Sequence, residues 1–350
     1  MKAEHILIIR FSALGDVAMT VPIVASLAAQ YPKLRISVVS KPVAAPLFRN
    51  IAPNVEFMSA DVGKEYKGVR GLNTLYRRLV AKHPTAVADL HDVLRTKYLR
   101  HRFSLEGFKT AHIDKHRRGK RLLCAKEGKQ LVPQPTSFDN YADVFARLGY
   151  PIEPSFTSIF PKEGGNLAPL TPVVGNKGAK EVWVGIAPFA AHSGKVYPKE
   201  QMQRLLQLLN TRHPSWRFFL FGGGGKEKAI LTEWAEPYPK TQCVGTLLHS
   251  MDEELVLMSH LDAMVSMDSA NMHLASAVGT PVVSVWGATH PFAGFMGWGQ
   301  PPQNAIQEDD LACRPCSVYG NKPCHRGDFA CMTRINPERI LSRVEAVVAK

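Results

Sequence analysis

Short apolar runs alternate along this chain with stretches of helical spacing. His5-Ile6-Leu7-Ile8-Ile9 is a continuous run of the kind found in buried parallel strands. A tight loop, Arg10-Phe11-Ser12-Ala13-Leu14-Gly15-Asp16, leads into a predicted helix over 17–27, where Pro22 falls early enough to be tolerated. After a Tyr31-Pro32 break, residues 35–39 read as a second strand, and 55–58 and 85–90 as further ones. A helix is expected around 137–145, and residues 151–180, rich in Pro, Gly and Asn, read as an interdomain linker. The pattern then restarts with strand 182–188, helix 199–209, strand 217–221, a run of four glycines and helix 226–234. Strands alternating with helices imply parallel α/β sheets, here in two halves over 1–165 and 166–350. A terminal helix from Pro337 is expected to pack back on the first half.

One late stretch organises the second half. The apolar run Ala263-Met264-Val265 ends in Met267-Asp268-Ser269, a small-residue helix begins at Ala270, and Val282-Val283-Ser284-Val285-Trp286 is the next strand. Asp268 or Ser269 at the helix start can accept backbone N–H bonds, and the free N–H groups beside them suit an anion. His273 follows Ser269 by four residues and shares its helix face. Any capped βαβ unit has these features. Gly222-Gly223-Gly224-Gly225 lets the backbone approach a ligand, but lacks the spacing of a dinucleotide fingerprint or a P-loop. Lys195, in a loop after strand 182–188, can neutralise a phosphate or be an ordinary surface lysine. Asp16, beside Gly15, stands at the strand edge where α/β sheets bind ligands, or simply caps a helix.

Charge narrows the partners. Lys and Arg number 43 against 30 Asp and Glu, a net +13 that predicts anionic partners. Residues 95–129 hold twelve basic and three acidic residues, so most of the excess lies in one stretch. Arg95, Lys97, Arg100, Arg117, Arg118, Lys120 and Arg121 are its candidates for an acceptor- or membrane-facing surface. The usual meaning of such a run is a solvated face. Nucleic acid is not expected, because no RNA- or DNA-binding signature accompanies the few aromatics there. No stretch reaches the roughly 20 apolar residues of a membrane span, and the N-terminal run reads as a strand and helix rather than a signal peptide. The expected location is cytoplasmic.

Of six cysteines, Cys313, Cys316, Cys324 and Cys331 form C-x2-C-x7-C-x6-C with His325 nearby. That spacing could hold a structural Zn²⁺, although the second pair departs from C-x2-C, and no metal is assigned. Cys124 and Cys243 read as inert thiols.

Taken in order, Arg10-Phe11-Ser12-Ala13-Leu14-Gly15-Asp16-Val17, Lys195 and Asp268-Ser269-Ala270-Asn271-Met272-His273-Leu274 resemble glycosyltransferase family 9, the ADP-heptose:lipopolysaccharide heptosyltransferases. Cys313-Arg314-Pro315-Cys316, Cys331-Met332 and Ile335-Asn336-Pro337-Glu338 resemble it too, so the likeness spans nearly the whole chain. The resemblance implies a GT-B architecture: two Rossmann-like domains facing each other across a cleft, the first binding acceptor and the second the sugar nucleotide. It implies inverting heptose transfer from an ADP-sugar to a phosphorylated lipid A–core acceptor, with no cofactor, at the inner face of the inner membrane. Asp16 would be the general base, with Ser12 and Gly15 beside it as substrate- or nucleotide-binding residues. Lys195 would hold the diphosphate. Gly223, Gly224, Asp268, Ser269, Ala270 and His273 would meet the nucleotide sugar. Two positions depart from the family: Gly224 stands where an acidic residue often contacts the ribose, and Ala270 where glycine is usual. Those departures motivate an alternative, a GT-B enzyme using another sugar nucleotide for capsule or O-antigen; a basic nucleic-acid binder is the third reading.

Overall fold

A computed structural model describes residues 4–49 and 51–349; the outer ends of the two expected halves, Met1 and Lys350, lie outside the described residues. The chain separates into two compact units. One comprises the residues up to Lys115 together with Pro135–Ile159, the other His116–Gln134 and Phe160–Lys350.

The first unit is a five-stranded parallel sheet. Its strands are β1 (His5–Ile9), β2 (Arg35–Ser40), β3 (Val55–Ser59), β4 (Ala86–Asp89) and β5 (Lys109–His112), in the order β3-β2-β1-β4-β5. Every residue of β1 is buried, as a central strand covered by helices on both faces requires. Pro22 occupies the first turn of the helix Val21–Gln30, where its missing N–H costs nothing. That helix is separate from a short one, Leu14–Ala18, so the single predicted helix is two.

The second unit is a six-stranded parallel sheet: β6 (Trp183–Ala187), β7 (Arg217–Leu220), β8 (Thr241–Cys243), β9 (Ala263–Met267), β10 (Val282–Trp286) and β11 (Ala305–Gln307). Its order is β11-β10-β9-β6-β7-β8. In each sheet the strand order reverses next to the first strand of the unit, between β1 and β4 and between β6 and β9. Loops leaving the carboxyl ends of those strand pairs are where open α/β sheets bind ligands.

The basic stretch 95–129 is structured: it carries the helix Leu94–Leu105, strand β5 and the helix Arg117–Leu123, and its last part belongs to the second unit. Its helical periodicity is hidden because basic residues fill the exposed positions while only Thr96, Leu99 and Phe103 are buried in the first of these helices. The 165/166 division therefore does not coincide with these units: the unit boundary after the first sheet falls at Ile159, and His116–Gln134 lies with the second unit. The terminal helix Pro337–Val348 does not use its apolar face on the first half. Ile340, Leu341, Val344 and Val347 are part of the second unit's core, alongside Leu205, Leu206 and Leu209 of the helix Lys199–Arg212.

Candidate active site

In the first unit, Asp16 sits at the third position of the helix Leu14–Ala18, one loop beyond β1. Three groups fix it. Arg10 Nη2 lies 2.7 Å from Asp16 Oδ2, and the Ala13 backbone N–H donates to the same oxygen at 3.2 Å. The Tyr141 hydroxyl donates to the Asp16 carbonyl at 3.3 Å, with the Arg10 guanidinium 5.7 Å from the Tyr141 ring centroid. Burial raises the Tyr141 phenol far beyond its ordinary range, so it stays a donor. Asp16 itself keeps about a third of its side chain exposed, which a group that must receive a proton needs. Ser12 is half-buried in the same loop, and Gly15 is buried in the helix.

Across the strand reversal, the turn after β4 is built by a buried acid. Asp89 Oδ1 accepts from the backbone N–H groups of His91 (3.0 Å) and Asp92 (2.8 Å), while Asp89 Oδ2 meets Arg100 Nη1 at 2.7 Å. Arg100 also reaches Asp92 at 3.2 Å. Arg10 Nη1 donates to the Leu90 carbonyl, tying this turn to the Asp16 loop. The sequence reading placed no role on Asp89 or His91.

In the second unit the equivalent pair of loops carries Lys195 and Asp268. Lys195 Nζ is 2.8 Å from Asp268 Oδ2, and both side chains are largely buried. Asp268 follows β9, and Ser269 is the N-cap of the helix Ala270–Ala277. No side chain caps that helix; Ser269 Oγ instead lies 3.3 Å from Ser266 Oγ. Its first N–H groups therefore have no capping side chain, which suits them to an anion. His273, buried, sits one turn in.

Close backbone approach holds Lys195. The Ala288 N–H donates to the Gly194 carbonyl at 2.8 Å, and Gly194 N–H to the Gly320 carbonyl at 3.3 Å. A methyl group on Gly194 would fall 2.7 Å from the Gly320 oxygen, so no larger residue fits there without movement. The buried Arg314 guanidinium secures the loop after β10 by donating to the carbonyls of Gly287 (2.5 Å), Thr289 (2.9 Å) and Glu308 (2.7 Å).

The glycine turn after β7 has a carboxylate beside it. Gly223 is the N-cap of the helix Gly224–Ala235, and Gly224 has φ +75° with open space around it. Glu227, in the first helical turn, accepts the Gly223 N–H at 2.7 Å. A carboxylate therefore stands at this turn, three residues later than the expected position. Only the helix geometry folds it back.

The basic candidates do not form one free surface. Arg100 is consumed by Asp89 and Asp92, and Lys97 lies 3.7 Å from Asp92. Lys120 is buried, its ammonium 4.2 Å from the Phe295 ring centroid, so it is not surface-facing. Arg95 lies in the first unit, and Arg117, Arg118 and Arg121 in the second; all four are exposed. All six cysteines are free thiols. Cys313, Cys316, Cys324 and Cys331 line one cavity with His325, yet among the described residues no three His, Cys, Asp or Glu form a metal-holding group.

Comparison with known proteins agrees with these features. Residues 74–323 match the model of glycosyltransferase family 9 (heptosyltransferase). Over 160 residues the chain is 27% identical to lipopolysaccharide heptosyltransferase 1 of Campylobacter coli, covering 45% of this chain and 44% of that protein. A family 9 glycosyltransferase structure from Veillonella parvula superposes with a TM-score of 0.75 at 17% identity, covering 100% of this chain and 98% of that one. The E. coli ADP-heptose lipopolysaccharide heptosyltransferase II gives 0.69 at 17% identity, covering 99% and 98%. Likeness at such identities is one of fold, and that fold is GT-B. With the family match extending over most of its length, this chain belongs to glycosyltransferase family 9, the heptosyltransferase family.

Proposed function

We propose that the protein is an inverting glycosyltransferase that moves heptose from ADP-heptose to the lipopolysaccharide inner core, on Kdo-lipid A or a heptosylated core. The observation that carries this reading is the 2.8 Å Lys195–Asp268 contact at the uncapped start of the helix Ala270–Ala277. It puts a cation and unpaired N–H groups together at a strand reversal. Departure of ADP leaves negative charge on the β-phosphate, and these are the groups that stabilise it.

In this reading the first unit binds the acceptor and the second the donor. The acceptor hydroxyl oxygen attacks the anomeric carbon from the face opposite ADP, the bond from that carbon to the phosphate oxygen breaks, and the hydroxyl proton passes to the Asp16 carboxylate. Arg10 holds the carboxylate and so orients it. Lys195, held by Asp268, and the N–H groups at Ser269 and Ala270 receive the diphosphate; His273 lines the same helix turn. Glu227 stands in for the missing acid at Gly224 and meets the ribose. The donor class is supported by the E. coli structural relative, named as an ADP-heptose enzyme.

Exposed Arg95, with Leu94 and Leu105 exposed on the same helix, suits a phosphorylated lipid at the cytoplasmic face of the inner membrane. Among the described residues no helix is long and apolar enough to cross a membrane. Transfer to another sugar-nucleotide class is the second reading, motivated by the open backbone at Gly224.

Calorimetric titration with ADP, UDP, GDP and dTDP in moderate salt separates the two readings. ADP preference is expected; preference for another nucleotide moves the function to the second reading, and no binding at all overturns both.

A further inference from the structure

The two sheets repeat one plan. Each unit reverses strand order beside its first strand, and a functional loop leaves each of the two strands flanking that reversal. In the second unit those loops carry Lys195 after β6 and Asp268 after β9. In the first, the loop after β1 carries Asp16; the loop after β4, the counterpart of the Asp268 loop, carries His91. Counterpart loops at a strand reversal face the same ligand position.

The imidazole is held firmly: its ring packs edge-on to Phe11, with the centroids 6.3 Å apart. The Phe11 N–H donates to His91 Nδ1 at 3.4 Å, so a neutral ring carries its proton on Nε2. Nε2 finds no partner among the described residues, and it is absent from the buried unpaired atoms, so it keeps access to solvent. The turn beneath it is rigid: Asp89, fully buried, takes the His91 N–H, and Arg10 holds both Leu90 and Asp16. One arginine therefore fixes the relative position of the His91 turn and the proposed base. Burial, and then the neighbouring Arg10 charge, push the His91 pKa down to about 3, so the ring is a neutral donor at working pH.

We propose that His91 is an acceptor-positioning residue, its Nε2–H donating to an oxygen of the acceptor sugar and holding the reacting hydroxyl against Asp16. The assignment rests on the reading of Asp16 as base. A neutral donor suits the task better than a cation, because a charge beside Asp16 would weaken it as a base.

The test is steady-state kinetics of full-length His91→Ala and His91→Gln with Kdo-lipid A as acceptor and ADP-heptose as donor. Loss of one neutral hydrogen bond predicts a rise in acceptor KM of roughly 3–10-fold in His91→Ala. Donor KM and ADP affinity stay at wild-type values, and His91→Gln, which restores a neutral donor, recovers most of the loss. The acid limb of kcat/KM is unchanged in His91→Gln, since the imidazole does not titrate there. Unchanged acceptor KM in His91→Ala, a loss that falls on ADP instead, no recovery by Gln, or an acid limb that moves in His91→Gln would each overturn the proposal. Asp16→Asn assayed in parallel keeps the two failures apart. Full turnover in Asp16→Asn sinks the base assignment, whereas an inactive Asp16→Asn with a kinetically silent His91→Ala sinks the His91 role alone.

Discussion

Gly320 gives the sharpest test of how Lys195 is held. Its φ is +74°, and a methyl group there would lie 2.6 Å from Lys195 Cγ, 3.2 Å from Cε and 3.3 Å from Cδ. Gly320→Ala therefore does two separable things. Placing a β-carbon in the left-handed region costs about 1–2 kcal/mol, seen as a fall of a few degrees in Tm. The collision comes near the root of the Lys195 side chain, so rotation of its tip cannot relieve it and the ammonium moves. A charge-assisted bond to a diphosphate oxygen contributes about 1.5–3 kcal/mol, so ADP binding should weaken roughly 10–150-fold. Gly299→Ala is the control: φ is +66°, with nothing within 4 Å of the added carbon. It carries the same backbone cost and leaves Lys195 alone. Differential scanning fluorimetry reads the first effect and calorimetric ADP titration the second. The reasoning is refuted if the two variants bind ADP equally well, or if Lys195→Ala binds it as tightly as wild type.

Further expectations follow from the same geometry. Asp16→Asn should keep its Tm within a few degrees yet lose about 100-fold or more in turnover, the range of a general base; near-normal turnover would remove Asp16 from the mechanism. Glu227→Ala should narrow the affinity difference between ADP and its ribose-deoxy analogue by about 3–10-fold, one hydrogen bond's worth, and an unchanged difference would exclude contact with the ribose. Arg314→Met strips the donors from two buried carbonyls, Gly287 and Thr289, and from the part-buried Glu308 carbonyl; it should destabilise by about 3 kcal/mol, checked by urea unfolding, and a shift under 1 kcal/mol would mean water replaces the guanidinium. His91 and His290 predict acid sensitivity. Burial and neighbouring cations, Arg10 for the first and Arg314 for the second, hold their folded pKa values at about 3 and about 4. Unfolded, both titrate near 6.5, so the unfolded chain binds more protons between these values. Stability is then full above pH 6.5 and declines as pH falls toward 4. A Tm series from pH 7.5 to 4.5 should show that decline, and a shallower one in His290→Gln; a parallel decline in that variant would exclude His290 as a source.

The order of apolar runs, by itself, determined two parallel α/β halves, because a buried parallel strand leaves an unbroken apolar signature such as Ile6-Leu7-Ile8-Ile9. It also put Asp16, Lys195 and Asp268 in segments that follow such strands, whereas the roles expected of them came from the family resemblance. What it did not decide depends on distance in space. The terminal helix shows an apolar stripe, but a stripe does not say which core it enters; the partner turned out to be the second unit's. The basic stretch reads as one surface because charge is additive along a chain, whereas folding turns Arg100 toward Asp89 and Lys120 toward Phe295. Glu227 and His91 are ordinary residues in sequence. A helical turn brings the carboxylate back to Gly223, and only parallel pairing of β4 with β1 sets the histidine's turn beside the Asp16 loop. Local periodicity is written in neighbouring residues; the reach of a side chain across 80 positions is set by the sheet.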